Sequence, residues 1–304
     1  MNKKILLLLL LLSPSFLFAR ISKSELQRKT NALCKCVSSL CNAVNKLGDR
    51  ISVLEIDIAI LNEVTGVPIR GCPSTGTYTI SAPGLYKLSR DITCCILITT
   101  SNVALDLNGH TITGTDCTSV ITTEDNLTNI EIMNGTIVGS GANDGITTGQ
   151  NNTNIIIHDV EMSNFDPGIL LQQGTTFSRI YDCLIETASR CIELEPYCDD
   201  NIIENCVARD FTAYGIIVTG SRNLVDSCTI GPCDRDLPLN AGIQVNSGDG
   251  NTIFNCDVGN IQDPDSFRGI RAGNLPNTTN TTIDQCIVHD ITIDTHQPQI
   301  LEPQ

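Results

Sequence analysis

Two glutamates lie two residues apart in the segment Cys191-Ile-Glu-Leu-Glu195, and this spacing is compatible with acid–base chemistry. If the segment is a β-strand, Glu193 and Glu195 point to the same face, with Cα atoms about 6.6 Å apart. Carboxyl groups about 6.5–9.5 Å apart are typical of inverting glycoside hydrolases, in which one serves as acid and the other as base. Glu193 and Glu195 are therefore candidate catalytic residues, and an ordinary solvated sheet face is the alternative.

A short phrase, usually Gly-Ile, recurs along the chain and places further polar side chains beside this pair. Its copies are Gly145-Ile146, Gly168-Ile169, Cys191-Ile192, Gly215-Ile216, Gly242-Ile243 and Gly269-Ile270. If the isoleucine faces inward, strand alternation directs the next residue outward. The resulting outward column contains Thr147, Leu170, Glu193, Ile217, Gln244 and Arg271. The next outward column contains Gln172, Glu195, Thr219 and Asn246.

Amide groups and an arginine on one face suit the recognition of sugar hydroxyls or a uronate. The candidate ligand-binding residues are Gln172, Gln244, Asn246 and Arg271. Leu170 and Ile217, which lie in the same column, favour a binding or packing surface over a catalytic one.

Two acidic loops are the candidate metal-binding segments, since calcium prefers oxygen ligands. They place Asp234 close to Asp236 and Asp263 close to Asp265. Calcium could bind there, although solvated loop charge is the simpler explanation, and no other cofactor is expected. The four histidines are scattered and no Cys-x-x-Cys pair occurs, which argues against zinc.

The residues above belong to a repeat that runs through most of the chain. A second phrase alternates with Gly-Ile and centres on a cysteine, as in Ile203-Glu-Asn-Cys206 and Val225-Asp-Ser-Cys228. The period is 22 to 29 residues, and each phrase is short, β-branched and bounded by Gly or Asn. Such phrases are strands between turns. Short strands at this period, with no helical segment, favour a parallel β-helix over a propeller or a leucine-rich repeat.

The segment Gly84-Leu-Tyr-Lys-Leu-Ser-Arg-Asp-Ile92, followed by Ser101-Asn-Val-Ala-Leu-Asp-Leu-Asn-Gly-His-Thr-Ile-Thr-Gly114, resembles the opening turns of pectin-lyase-like right-handed β-helix proteins. The resemblance covers roughly residues 72–294 and implies the fold, not an activity, because this fold hosts lyases, hydrolases, epimerases, tailspikes and adhesins. The hydrolase motifs of the family are missing, apart from a paired Asp199-Asp200 at a turn.

Five of the 15 cysteines occupy one column of the repeat: Cys183, Cys206, Cys228, Cys256 and Cys286. Stacked about 4.8 Å apart and flanked by Ile or Val, they are expected to face inward as free thiols, because straight stacking rarely meets disulfide geometry. Disulfides within the column are the alternative that an exported protein would allow. Among the remaining cysteines, Cys72 with either Cys94 or Cys95, and Cys198 with Cys233, are possible bridges.

Residues 1–19 have the pattern of a secretory signal peptide. Lys3 and Lys4 precede the apolar run from Ile5 to Leu12, and a small residue, Ala19, ends the segment. The run is shorter than the roughly 20 residues that a membrane span requires. The sequence therefore predicts a secreted or cell-surface protein with no membrane span after cleavage.

Residues 20–64 are expected to form a helix, since Leu recurs every seven residues from Leu33 to Leu61 with β-branched residues between. This pattern favours a coiled coil, and a helix capping the next domain is the alternative. A homo-oligomer through residues 33–61 follows, a dimer or a trimer, with Cys36 and Cys41 as candidates for an interchain disulfide. The β-helix would then occupy residues 65–304.

Charge and composition restrict the partners. The net charge of −15, which becomes −17 without Lys3 and Lys4, argues against nucleic acid, since phosphate binding needs a basic face. Aromatic residues make up only 4 % and tryptophan is absent, so the core must consist of aliphatic, Cys and Thr side chains. The sequence favours an exported, non-catalytic scaffold that binds a polysaccharide or a surface protein. A polysaccharide-active enzyme (a hydrolase, lyase or epimerase) and a purely structural surface protein are the alternatives.

Overall fold

The computed structural model of the chain describes residues 31, 66–73, 76–233, 241–262, 268–272 and 278–292. In this part the protein is an all-β, right-handed parallel solenoid, as the repeat predicts. Each strand pairs with the equivalent strand one turn later. The solenoid therefore has two continuous sheets whose strands run across its long axis.

The ten-stranded sheet contains the Gly-Ile phrases. Its strands, in spatial order, are β2 (Thr77–Ile80), β5 (Cys95–Ile98), β8 (Ser119–Thr123), β10 (Asp144–Thr147), β12 (Ile169–Leu171), β15 (Arg190–Leu194), β18 (Tyr214–Thr219), β21 (Ala241–Asp249) and β24 (Arg268–Ala272), with β25 (Thr278–Thr279) beside β21.

The seventeen-stranded sheet contains the cysteine phrases. Its strands are β1 (Val67–Ile69), β3 (Gly84–Leu88), β4 (Ile92–Thr93), β6 (Val103–Asp106), β7 (Thr111–Thr113), β9 (Thr128–Val138), β11 (Thr153–Phe165), β13 (Arg179–Tyr181), β14 (Leu184–Ala188), β16 (Ile202–Glu204), β17 (Val207–Arg209), β19 (Leu224–Asp226), β20 (Thr229–Ile230), β22 (Thr252–Phe254), β23 (Asp257–Gln262), β26 (Thr282–Asp284) and β27 (Ile287–Thr292). The long β11 pairs with both β13 and β14, so this sheet has two adjoining segments in every turn.

The core is built from columns of identical side chains. In the ten-stranded sheet one inward column aligns Ile96, Ile121, Ile146, Ile169, Ile192, Ile216 and Ile243, each at most 1 % exposed. Because each turn contacts only its neighbours, the same residue type suits every turn, which explains the repeated Gly-Ile phrase.

Asparagine defines the corner that follows the ten-stranded sheet. The backbone N–H of Asn201 donates to Asn223 Oδ1 at 2.9 Å, and the N–H of Asn223 donates to Asn251 Oδ1 at the same distance. All three side chains are buried. This ladder satisfies backbone groups that the turn would otherwise leave unpaired, which explains why an asparagine precedes the phrases of Cys206, Cys228 and Cys256.

The cysteine column faces inward with free thiols, as the sequence predicts. Cys183, Cys206, Cys228 and Cys256 are buried, and Cys286 in the last described turn is half-buried. The Cys206 thiol lies 3.3 Å from the carbonyl oxygen of Glu204, to which it donates. Hydrogen bonds with the thiols above and below, together with burial, raise the pKa of Cys206, which keeps this thiol protonated and unreactive.

Two disulfides join consecutive turns near the N-terminal end of the described solenoid. Cys72 pairs with Cys94, one of the two partners predicted for it, and the pairing of Cys95 with Cys117 was not predicted. The possible Cys198–Cys233 bridge is wrong, since the structure forms no disulfide between these two buried cysteines. The Cys198 thiol donates to the Gln172 carbonyl after β12, whereas Cys233 lies against Phe211 before β18, so the two thiols occupy different corners.

Several sequence-based expectations lie outside the described residues. They concern the signal peptide of residues 1–19, the coiled coil of residues 33–61 with Cys36 and Cys41, and the calcium candidates Asp234, Asp236, Asp263 and Asp265. Within the described part of the chain, no helix is long and apolar enough to span a membrane.

Candidate functional site

The outward column predicted from the Gly-Ile phrases is aligned by the strand register of the ten-stranded sheet. We call it the outer strip, and it consists of Thr147, Leu170, Glu193, Ile217, Gln244 and Arg271. Leu170 and Ile217 are buried yet lie outside the hydrophobic core cluster, whereas their strand neighbours Ile169 and Ile216 belong to it. Most side chains of the outer strip are therefore buried without belonging to the hydrophobic core.

Glu193 lies at the centre of the outer strip and forms an ion pair with Arg190. The Arg190 Nη1 atom is 2.6 Å from Glu193 Oε2, and Nη2 is 3.2 Å from Asp166 Oδ1. Burial raises the pKa of the Glu193 carboxyl and outweighs the opposing effect of Arg190, while the nearby charge of Glu195 raises it further. Glu193 is thus a carboxyl that ionises less readily than an exposed glutamate.

Asp144, three residues before Thr147 of the outer strip, lies close enough to Glu193 for its charge to act on that carboxyl. Its Oδ2 accepts hydrogen bonds from Thr147 Oγ1 at 3.0 Å and from Ser119 Oγ at 3.3 Å. Burial raises the pKa of Asp144 despite these two bonds. Together with Arg190, the residues Asp144, Asp166, Glu193 and Glu195 form what we call the acidic cluster.

Glu195 follows β15 directly and lies on the same outer side as Glu193, beside Gln172 of the preceding turn. Its Oε2 accepts a hydrogen bond from the backbone N–H of Gln173 at 2.9 Å. The backbone N–H of Gln172 donates to Thr148 Oγ1, and the Gln172 side chain is half-buried. Both glutamates of the pair therefore already have protein partners.

Gln244 and Asn246 form the next polar group along the strip. The Gln244 side chain is only 7 % exposed, and its Nε2 donates to Asn246 Oδ1. The Gln244 Oε1 atom is buried and has no hydrogen-bonding partner in the described part of the protein. Asn246 lies at an irregularity where Thr219 pairs with Ser247, and this bulge brings the Asn246 amide 3.4 Å from Thr219 Oγ1.

Arg271 pairs in register with Gln244 and extends the strip toward the C-terminal turns. Its side chain is half-buried. Among the residues that the structure describes, its guanidinium has no ion-pair or hydrogen-bonding partner, unlike that of Arg190. In the described ranges, a buried amide oxygen and an arginine that both lack partners are thus neighbours on adjacent strands.

The outer side of the seventeen-stranded sheet differs, because its charges are largely paired. Arg179 pairs with Glu204 and Arg209 with Glu186 on adjacent strands. The His158 ring is stacked on Tyr181 at 4.7 Å between centroids. This side offers matched control positions for the outer strip.

Sequence reasoning did not identify Arg190, Asp144 and Asp166 as members of the site. Asp144 immediately precedes Gly145 and Arg190 immediately precedes Cys191, so both occupy one position of the repeat. That shared position was the available signal. Within the described ranges, no cluster of three or more His, Cys, Asp or Glu side chains could hold a metal ion.

Comparisons with known proteins agree with the architecture. A family model described as the right-handed β-helix region matches residues 196–296. No curated protein matches the chain. Among solved structures, the ORF18 protein of Geobacillus virus E2 is 11 % identical with a TM-score of 0.45, and 74 % of this chain covers 56 % of that one.

Two further solved structures are similar to this chain at comparably low identity. The catalytic domain of a GH87 α-1,3-glucanase in complex with nigerose is 13 % identical, with a TM-score of 0.39, and 76 % of this chain covers 64 % of it. The enzymatically active domain of tailspike protein 2 of bacteriophage CBA120 is 12 % identical, with a TM-score of 0.36, and 72 % of this chain covers 39 % of it. At these identities and TM-scores the likeness supports no conclusion about activity.

Proposed function

We propose that this right-handed parallel β-helix protein is an exported scaffold that binds a polysaccharide along its outer strip without cleaving it. The observation that carries the proposal is the pair formed by Gln244 and Arg271. A buried amide oxygen without a partner is unfavourable by about 1–3 kcal/mol, so its retention on an outer surface indicates a ligand that donates a hydrogen bond.

The composition of the strip supports an extended, hydroxyl-rich ligand. Leu170 and Ile217 are its apolar members, Gln244 and Arg271 supply hydrogen-bonding groups in adjacent turns, and Thr147 supplies a hydroxyl at the other end of the strip. Binding surfaces for small polar ligands commonly combine apolar area with a few placed polar groups. A linear polymer lying along the solenoid axis would contact one strand per turn, about 4.8 Å apart.

The acidic cluster points to a neutral rather than an acidic polymer at the centre of the strip. Asp144, Glu193 and Glu195 would repel a uronate there, since like charges at close range are unfavourable. Arg271 is the position at which an occasional anionic substituent would be tolerated.

The second candidate function is polysaccharide hydrolysis by Glu193 and Glu195. The observation in its favour is the raised pKa of Glu193, as expected of a general acid, beside a second carboxyl on the same side. Against it, Arg190 holds Glu193 and a backbone amide holds Glu195. Secretion, and assembly through the predicted coiled coil of residues 33–61, remain proposals that accompany either function.

A panel of polysaccharides separates the candidates. Laminarin, dextran and polygalacturonate are incubated with the protein, and both retention and product chain length are followed. We expect retention of a neutral glucan without shortening, loss of retention in Arg271→Ala, and no loss in Glu193→Gln. The matched control is Glu204→Gln on the outer side of the seventeen-stranded sheet.

Each contrary result has a defined meaning. Shortening of a polymer that stops in Glu193→Gln identifies an enzyme. A protein that neither retains nor shortens any polymer is a structural protein, and the proposed function is then wrong.

A further inference from the structure

Two aromatic side chains protrude at the corner that follows the ten-stranded sheet. Phe177 is 62 % exposed and Tyr197 is 69 % exposed, which makes them the most exposed large hydrophobic side chains that the structure describes. In the described part of the chain, neither ring has a stacking, cation–π or hydrogen-bonding partner. Aromatic residues are only 4 % of this protein, so two such rings on adjacent turns are not explained by core packing.

The backbone at both positions is unfavourable for a bulky residue. Phe177 has φ 53° and Tyr197 has φ 64°, in the left-handed region where Cβ crowds the backbone. Equivalent positions of neighbouring turns have residues that adopt this region more easily, namely Asn154 beside Phe177 and Gly174 beside Tyr197. Folding alone would therefore favour asparagine or glycine at both positions.

One other bulky residue at this corner has a clear structural role. Arg222 has φ 57° in the column of Phe177, and its guanidinium binds both carboxylate oxygens of Asp200 at 2.7 Å. Phe177 and Tyr197 gain nothing comparable from the residues that the structure describes. Unfavourable backbone geometry without an internal compensation is typical of residues kept for binding.

Both rings adjoin the polar edge of the outer strip. Tyr197 is two residues beyond Glu195, and the N–H of Gly174 donates to the carbonyl of Pro196 at 3.2 Å, which joins this turn to the one below. The N–H of Phe177 likewise donates to the carbonyl of Asp199 at 3.3 Å. The rings therefore lie at the same end of the strands as Gln172 and Glu195.

We propose that Phe177 and Tyr197 form an aromatic platform that stacks on hexopyranose rings of a neutral polysaccharide. This inference rests on the proposed function and adds a subsite to it. A pyranose presents an apolar face of C–H groups and an equatorial rim of hydroxyls. Exposed aromatic faces match the first, and the carboxylate and amide groups of Glu195 and Gln172 match the second.

The test uses the full-length protein and the glucan that the wild type retains in the panel, laminarin or dextran. Phe177→Asn and Tyr197→Asn place a residue that tolerates positive φ at each position. We expect at least a tenfold weaker affinity for each variant, with a thermal midpoint equal to or above that of the wild type. Phe254→Ala and Tyr181→Ala, on the outer side of the seventeen-stranded sheet, are the aromatic controls and should keep the affinity.

A conservative variant adds a spectroscopic readout. The protein has five tyrosines and no tryptophan, so tyrosine emission is directly observable. Tyr197→Phe should retain the affinity but lose the largest part of the glucan-dependent change in emission. An unchanged emission response in Tyr197→Phe contradicts contact between this ring and the sugar.

The outcomes separate this inference from the function on which it rests. If Arg271→Ala abolishes binding while Phe177→Asn and Tyr197→Asn bind normally, the platform is wrong and the outer strip stands. If both asparagine variants lose affinity together with a lowered thermal midpoint, the rings are structural and the platform is again wrong. If the wild type binds no polysaccharide, the proposed function fails and the platform with it.

Discussion

The two sides of the ten-stranded sheet are built from alternating residues of the same strands, yet they differ in kind. The inner side repeats isoleucine in seven consecutive strands from Ile96 to Ile243. The outer strip presents a hydroxyl, two apolar side chains, a carboxyl, an amide and a guanidinium in six strands. The inner side is uniform because each turn meets the same neighbours, so variation on the outer side indicates contacts that differ from turn to turn.

The sharpest test of this difference uses consecutive residues of β18. Ile216→Ala opens a cavity in the core and should destabilise the protein by about 2–5 kcal/mol. Ile217→Ala, outside the core cluster, should cost less than half of that. Urea unfolding of both variants measures the two values, and equal losses would mean that the outer strip is a second core.

Two asparagines, the buried Asn223 and Asn246 at the outer edge, allow a second comparison between the inside and the outside of the solenoid. Asn223 is buried, and its Nδ2 donates to the Cys198 carbonyl at 2.8 Å. Asn223→Ala leaves buried backbone groups unpaired and should destabilise the protein by about 1–3 kcal/mol for each of them. Asn246→Ala, on the half-buried outer edge, should cost less than about 1 kcal/mol, since water can replace its contacts. Thermal unfolding of both variants measures the two losses of stability. A larger loss in Asn246→Ala than in Asn223→Ala would contradict the expected difference.

Replacement of Gln244, in contrast, should raise the stability of the protein. Gln244→Met keeps the side-chain volume and removes the buried Oε1 that lacks a partner, so stability should rise by about 1 kcal/mol. Chemical denaturation measures the change. A loss of stability would show that the amide oxygen contributes to folding, and the main support for a ligand at this position would then disappear.

The smallest expected effect concerns pH. Burial raises the pKa of Glu193 above its ordinary value of 4.5, so ionisation of this carboxyl weakens the folded state as the pH rises. Glu193→Gln should therefore unfold at a slightly higher temperature than the wild type at pH 7, and the difference should vanish below pH 4.5. Glu204→Gln, which loses an ion pair with Arg179, should gain no stability at pH 7.

The sequence allowed the inner side to be predicted more fully than the outer one. The repeated isoleucine, cysteine and asparagine positions follow from the requirement that each turn match the next, and the register of the outer strip follows from alternation. The partners on the outer side do not follow, because Arg190 could reach several carboxylates and only the folded geometry selects Glu193 and Asp166. The bulge between Val218 and Thr219 likewise has no local sequence signal.

The same limit applies to the cysteines. The column containing Cys206 was predictable because stacked side chains share one direction. The Cys95–Cys117 bridge depends on how a corner turns, with Cα atoms 6.4 Å apart, and spacing alone does not reveal that geometry.

The central claim is that the outer strip is kept for binding, and the affinity of Gln244→Met for the polysaccharide that the wild type retains tests it most directly. Calorimetric titration of the wild type, Gln244→Met and the Glu204→Gln control would give the three affinities. We expect at least tenfold weaker binding by Gln244→Met, together with its expected higher stability, and no change in the control. Unchanged affinity in Gln244→Met, or an equal loss in Glu204→Gln, would contradict it.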